Sequence, residues 1–318
     1  MENSKLFQSL KDKNITESSL KLYLNNLRRL NGGEFPKSFA FLKDVDSILE
    51  KIKDYKPNTQ RSYIISIVSL LKQEPKLKKL YDRYYTILMN FNKELKTNNE
   101  KSETQKDNWI SQSEVKELYD NLTKEVNEMV ADKKKLTPSE YEKLLRWFVL
   151  SLYTLQKPRR NADYQMALVS KSKVMPDLDP HYNYLDVANK KWTFNNYKTK
   201  GTYKSQEQDA PSEMIDAVEL YLKFHPLGKV LKKKGVLVPL LVDYEGNPFQ
   251  QTNSITRLLN KIFGKKIGVS MLRNIYLTDK FGDKVNELNE TAKAMGTSSS
   301  TIQNQYVKLD DKVESESK

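Results

Sequence analysis

Leu20, Tyr23, Leu24, Leu27 and Leu30 recur at spacings of three and four residues. That period is one apolar face of an α-helix. Thr16 stands where such a helix is capped, and Asn31-Gly32-Gly33 where it stops. The same reading predicts a second short helix over 39–52. A third follows Lys56-Pro57-Asn58-Thr59 and carries Tyr63, Ile64, Ile67, Val68, Leu70 and Leu71. A fourth, over 77–95, has Leu80, Tyr84, Ile87, Leu88 and Phe91 on one side. Together they predict a small helical bundle within residues 1–95.

Residues 96–108 (KTNNEKSETQKDN) are polar and carry no period, which predicts a linker. A new helix starts at Trp109-Ile110-Ser111, with Ser113 expected as its cap and an acidic first turn at Glu114. Thr137-Pro138-Ser139-Glu140 then starts a helix with proline in its first turn. Leu144, Leu145, Phe148, Val149, Leu152 and Tyr153 make that helix strongly apolar, and Lys157-Pro158 ends it. From 182 to 211 the pattern changes to short runs rich in Tyr, Trp, Thr and Phe, the mark of β-strands, with a turn at Lys200-Gly201. Helices follow over 211–224 and 252–263, with a short apolar strand at 236–242. The expected class is mainly α with a small antiparallel β-sheet (α+β). The expected domains are a helical unit over 1–95, a linker over 96–108, a larger unit over 109–309 and a disordered tail over 310–318.

Charge adds a partner. Lys and Arg total 54 against 41 Asp and Glu, a net charge of +13. Such a chain attracts polyanions, of which nucleic acid is the commonest. The absence of cysteine excludes disulfides, thiolate metal sites and a Cys nucleophile. With only His181 and His225, a multi-histidine metal site or a Ser-His-Asp triad is not expected. No run of apolar residues is long enough for a membrane helix. The first residues, MENSKLFQSLKDKN, lack the apolar core of a secretory signal. An intracellular location (cytoplasm, nucleus or virion) without membrane contact is therefore expected.

The candidate chemistry lies at the C-terminal end. Ser270-Met271-Leu272-Arg273 is followed by Thr278, then by Met295-Gly296-Thr297, and Tyr306 stands nine residues after Thr297. This pattern resembles the signature of the tyrosine recombinases (phage integrases): H-x-L-R-H-x-x-x-T, then L-G-H, then a tyrosine nine residues on. Both histidine positions depart from it, as Ser270 and Thr297. Upstream, Arg160 and Asp163 fit the family's R-x-x-E, with Asp for Glu, and Arg159 is the alternative register. Asn58-Thr59-Gln60-Arg61-Ser62-Tyr63 looks like the entry to a helix of the family's core-binding domain.

The resemblance implies an enzyme that cuts and rejoins double-stranded DNA through a 3′-phosphotyrosyl intermediate. In it Arg160 and Arg273 clamp the phosphate, and Tyr306 attacks. A lysine of the β-hairpin, Lys198 with Lys200 second, protonates the leaving oxygen. Ser270 and Thr297 take the phosphate-binding positions of the histidines. Ser and Thr still donate a hydrogen bond, but they are not bases near neutral pH. No metal or nucleotide cofactor is implied, and the chain has no P-loop. The family's pattern further implies a monomer in free solution that assembles as a homo-tetramer on DNA. Lys, Asn and Tyr usage fits a mobile element or virus. Two relatives of this reading stay open: a type IB topoisomerase-like or telomere-resolving enzyme, and a DNA-binding protein of the same fold that has lost the chemistry.

Overall fold

A computed structural model describes residues 10, 15–72, 74–96, 101–173, 175–251 and 253–308. The chain divides into two compact units, 1–101 and 102–318, each with its own apolar core. The expected tail at 310–318, and residues 97–100 of the expected linker, lie outside the described residues.

The first unit holds four α-helices: α1 (Glu17–Leu30), α2 (Val45–Ile52), α3 (Pro57–Leu71) and α4 (Lys78–Lys96). The Thr16 hydroxyl caps α1 by accepting the Ser19 N–H. Gly32 and Gly33, both at positive φ, turn the chain away after it. The expected helix over 39–52 divides into a 3₁₀ turn at Phe39–Leu42 and α2, because Asp44 caps a new helix by accepting the Ser47 N–H. Leu27, Ile48, Ile64, Ile67 and Tyr84 fill the core. One polar group crosses it: Asn26 Nδ2 donates to Ser66 Oγ at 3.0 Å, tying α1 to α3.

The second unit is built on one buried helix. In it α5 (Glu103–Asn108) and α6 (Gln112–Val130) precede α7 (Pro138–Thr154). Reciprocal capping boxes start all three, Ser102 with Gln105, Ser111 with Glu114 and Thr137 with Glu140. Thus the polar stretch read as linker carries a helix, whose capping pair has no apolar period to reveal it. The cap of α6 is Ser111 rather than the expected Ser113, because Ser111 stands three residues before the Glu114 that completes the box. α7 is buried on nearly every face from Tyr141 to Tyr153, the mark of a central helix. Phe148 stacks on Tyr221 with centroids 4.1 Å apart, and Trp147 Nε1 donates to Thr123 Oγ1 at 2.9 Å.

After α7 the chain forms α8 (Asn161–Gln165) and five strands: β1 (Ala167–Ser170), β2 (Asn183–Asp186), β3 (Lys191–Phe194), β4 (Gln206–Asp209) and β5 (Val238–Pro239). Their order is β4-β3-β2-β1-β5. The sheet is mixed rather than antiparallel, because β1 pairs parallel to β2, with Ala167 opposite Asn183. β1 is four residues long and has no clean alternation, so nothing in the pattern announced it. Between β3 and β4 there is no tight hairpin at Lys200-Gly201. Residues 195–205 make a longer connection that contains one helical turn, α9 (Lys200–Tyr203). The remaining helices are α10 (Ser212–Lys223), α11 (Ser254–Phe263), α12 (Val269–Ala294) and α13 (Ser299–Thr301), the last running into a π-helical turn, Ile302–Tyr306. Among the described residues no helix is long and apolar enough to cross a membrane.

Candidate active site

Pro158 stops the chain from continuing α7, since its ring and missing N–H break a helix interior. Arg159 and Arg160 therefore lie on the short link between α7 and α8. Their environments differ completely. Arg159 Nε donates to Asp163 Oδ2 at 3.0 Å, and its Nη1 donates to Gln206 Oε1 at 3.2 Å on β4. The same guanidinium lies 3.7 Å over the Phe194 ring and 5.1 Å from that of Tyr197. Asp163 is buried; burial pushes its carboxyl above the ordinary range, and the Arg159 charge opposes that shift. Asp163 thus pairs with Arg159, the alternative register, while Arg160 stands at the R-x-x-D spacing without a salt bridge to it.

Arg160 has no hydrogen bond or ion pair from its side chain among the described residues, and neither has Arg273. Arg273 sits near the start of α12, which leaves the extended residue Gly268. A Cβ at Gly268 would meet Thr256 Cγ2 at 3.1 Å, so glycine lets α12 start hard against α11. Asn161 Nδ2 donates to Thr256 Oγ1 at 3.1 Å and ties α8 to the same place. These contacts bring the two arginines, far apart in sequence, to shared ground. Both line a cleft of about 300 Å³ with Arg159, Asp163 and Tyr197, and both line a second of about 580 Å³.

The second cleft also takes in Lys198, Ser270 and Lys266, and none of its lining residues is acidic. Four cations converge there without a carboxylate, which makes a site for an anion. Two planar guanidinium forks suit the oxygens of a phosphate. Beneath them the Tyr153 hydroxyl is buried without a hydrogen-bond partner. Burial holds it well above the ordinary phenol range, with the Arg273 charge pulling the other way.

Lys198 is held indirectly, by a residue that sequence reasoning missed. Asn183, fully buried at the start of β2, donates from Nδ2 to the carbonyls of Asp163 (2.8 Å) and Asn196 (2.9 Å). Its Oδ1 accepts the N–H groups of Asn195 (2.9 Å) and Asn196 (2.8 Å). One side chain thus joins α8, which follows Arg160, to the connection that carries Lys198. An Asn at the head of a strand is the only signal the sequence offers for it. Lys266 was missed too, hidden in a short run of lysines.

The other expected residues lie elsewhere. Lys200 is exposed on α9, 3.4 Å from Asn196 Oδ1, and lines neither cleft. Thr297 follows Gly296, a positive-φ residue at the end of α12, and its N–H donates to the Ala292 carbonyl. Tyr306 is 59% exposed on the π-helical turn, which buries only Ile302. Neither Thr297 nor Tyr306 lines the arginine clefts. Among the described residues no cluster of three or more metal-capable side chains occurs. No protein family, characterised protein or solved structure matches this chain in the comparisons made.

Proposed function

We propose that the chain is a tyrosine-type DNA strand transferase, a recombinase or integrase acting on double-stranded DNA inside a cell or virion. The convergence of Arg160 and Arg273 on two shared clefts, with both guanidinium groups unpaired and no acid lining the larger, carries this reading. Charge that builds on the non-bridging oxygens of a phosphodiester under attack is stabilised by cations already aimed at it. In this reading the Tyr306 oxygen attacks phosphorus, forming a 3′-phosphotyrosyl bond as the bond to the 5′ oxygen breaks. Lys198 gives its proton to that oxygen as general acid. The phenol proton leaves to solvent, since Ser270 and Thr297 are not bases. A 5′-hydroxyl then reverses the step, the new phosphodiester forms and the tyrosine is released. No net oxidation or external energy source is involved. Tyr306 reaches the phosphate when its turn moves, or when a second copy in a tetramer on DNA supplies it.

Covalent trapping tests the proposal. The full chain is incubated with nicked suicide DNA from its own element's ends and run on a denaturing gel, with Tyr306→Phe beside it. An adduct that disappears in Tyr306→Phe is the expected result, and tight binding with no adduct overturns it. The exposed position of Tyr306 outside the clefts favours a second reading, a DNA-binding protein of this fold without the chemistry, which predicts that latter result. Relaxation of supercoiled plasmid separates a topoisomerase-like activity from strand exchange.

A further inference from the structure

The arginine clefts use little of the chain's positive charge. At the other end of α7 a groove of about 1240 Å³ opens beside Leu136 and Tyr141. α7 has 17 residues, so at 1.5 Å per residue the groove is about 25 Å from the arginine clefts. Lys134, Lys135, Lys171, Lys223, Lys229 and Lys232 line it. Among the described residues none of the six ammonium groups has a hydrogen bond or ion pair, although Glu219 and Glu245 also line the groove. The Lys223 ammonium does lie 5.1 Å from the Phe224 ring.

The floor of the groove is uncharged. His225 is buried, its Nδ1 accepts the Leu227 N–H at 3.1 Å, and its ring meets Tyr221 edge-on. Its Nε2 faces the carbonyls of Pro239 and Leu240 without a well-formed hydrogen bond. The positive charge therefore sits on the six lysines, against the two carboxylates of Glu219 and Glu245. They come from four segments: the loop before α7, the end of β1, the end of α10 and the turn at 229–232. Cations spread this way match an extended polyanion better than a single phosphate. They are lysines, point charges without the bidentate fork, which suits contacts that tolerate any sequence. Phe224 and Tyr244, both half-buried, line the same groove. A cationic groove with aromatic rings is how strands outside a duplex are held, phosphates on the cations and bases on the rings. An acidic peptide would meet the charge but leave the rings unused.

We propose that this groove takes a single strand of nucleic acid, its phosphates on the lysines and its bases against Phe224 and Tyr244. The site needs neither Tyr306 nor strand transfer, so it stands or falls apart from the activity proposed above.

Fluorescence anisotropy of a labelled oligothymidylate of about twelve nucleotides, titrated with the full chain at several salt concentrations, tests it. Each phosphate neutralised on a single strand contributes about −0.7 to the slope of log K against log salt. The combined variant Lys134→Gln, Lys229→Gln and Lys232→Gln is expected to flatten that slope by about 2 and to weaken binding at least tenfold. Lys124→Gln with Lys284→Gln, two exposed lysines that line neither the groove nor the arginine clefts, is expected to leave oligothymidylate binding within about twofold. Should the triple variant lower Tm, Lys229→Gln and Lys232→Gln singly carry the test, each flattening the slope by about 0.7. No binding by the wild-type chain overturns the proposal, as do an unchanged slope in the groove-lysine variants and an equal loss of binding in the Lys124→Gln, Lys284→Gln control. An oligoglutamate of equal length that competes as well as oligothymidylate also overturns it, and assigns the groove to an acidic protein.

Discussion

Arg159 Nε lies 3.0 Å from Asp163 Oδ2, and that pairing leaves the adjacent Arg160 free to face the clefts it shares with Arg273. Two neighbouring arginines thus have opposite duties, one holding the fold and the other open to a ligand. Removing one partner of a buried ion pair strands the other's charge and costs about 3 kcal/mol or more. Arg159→Ala is therefore expected to lower Tm by roughly 6–12 °C for a unit of this size. Arg160→Ala is expected to stay within about 0.5 kcal/mol of the parent, as for a surface change. Thermal unfolding of the two variants side by side checks the contrast, and equal losses would show that both are structural.

Chemistry should respond in the reverse order. Arg160→Gln and Arg273→Gln each remove a cation from the anion site while keeping a neutral side chain of similar length. A loss of about 10²–10³ in the rate of covalent adduct formation is expected from each, the scale of losing one preorganised donor. Tm should move little, because neither side chain makes a hydrogen bond or ion pair among the described residues, and the Arg160 charge has only a minor effect on Asp163. Rates are read from quenched time courses with the suicide substrate, and an unaltered rate in either variant removes that arginine from the clamp.

Asn183 makes four hydrogen bonds from one buried side chain. Asn183→Ala leaves backbone groups of residues 163, 195 and 196 short of partners, at about 1–3 kcal/mol for each one left buried and unsatisfied. The predicted signature is local: amide hydrogen exchange at Asn195 and Asn196 accelerates before the rest of the sheet. Adduct formation falls as well, because the connection that bears Lys198 is no longer held to α8. Unchanged exchange at those two amides is the result that counts against it.

His225 predicts a pH dependence. Burial lowers its pKa from 6.5 to about 4. Between those values the unfolded chain binds a proton that the folded chain does not, so stability rises with pH across this window and is lost as pH falls through it. The contribution is on the order of 3 kcal/mol at neutral pH. In His225→Phe the slope of unfolding free energy between pH 6.5 and 4 should shrink by one proton. Urea unfolding at a series of pH values measures it, and an identical slope in both proteins means that His225 titrates normally.

Much of the frame was legible in the chain. Apolar residues at helical spacing marked most of the long helices, because burying one face of a helix demands that period. The 26-residue α12, with only five buried positions, was not among them. Thr16 and Thr137 marked two starts, because an orphan N–H at a helix end needs a nearby acceptor, while the cap of α6 fell on Ser111 rather than Ser113. What escaped were elements without a period of their own. β1 is too short for alternation to show, and its parallel pairing to β2 left no trace in local sequence. The 103–108 helix was read as linker because its capping pair sits in an otherwise polar run.

The candidate site divides along the same line. The resemblance to the tyrosine recombinases singled out Arg160, Arg273, Lys198, Ser270, Thr297 and Tyr306, and their roles rest on that resemblance. Charge likewise led to the expectation of a polyanion as partner. Only the tertiary structure decided that Asp163 belongs to Arg159, that Asn183 holds the Lys198 connection, and that Lys266 joins the larger cleft. It also set Tyr306 and Thr297 outside both clefts. The physical reason is range: a period or a cap is settled within a few neighbouring residues, whereas a guanidinium's partner depends on which distant segments the folded core brings beside it.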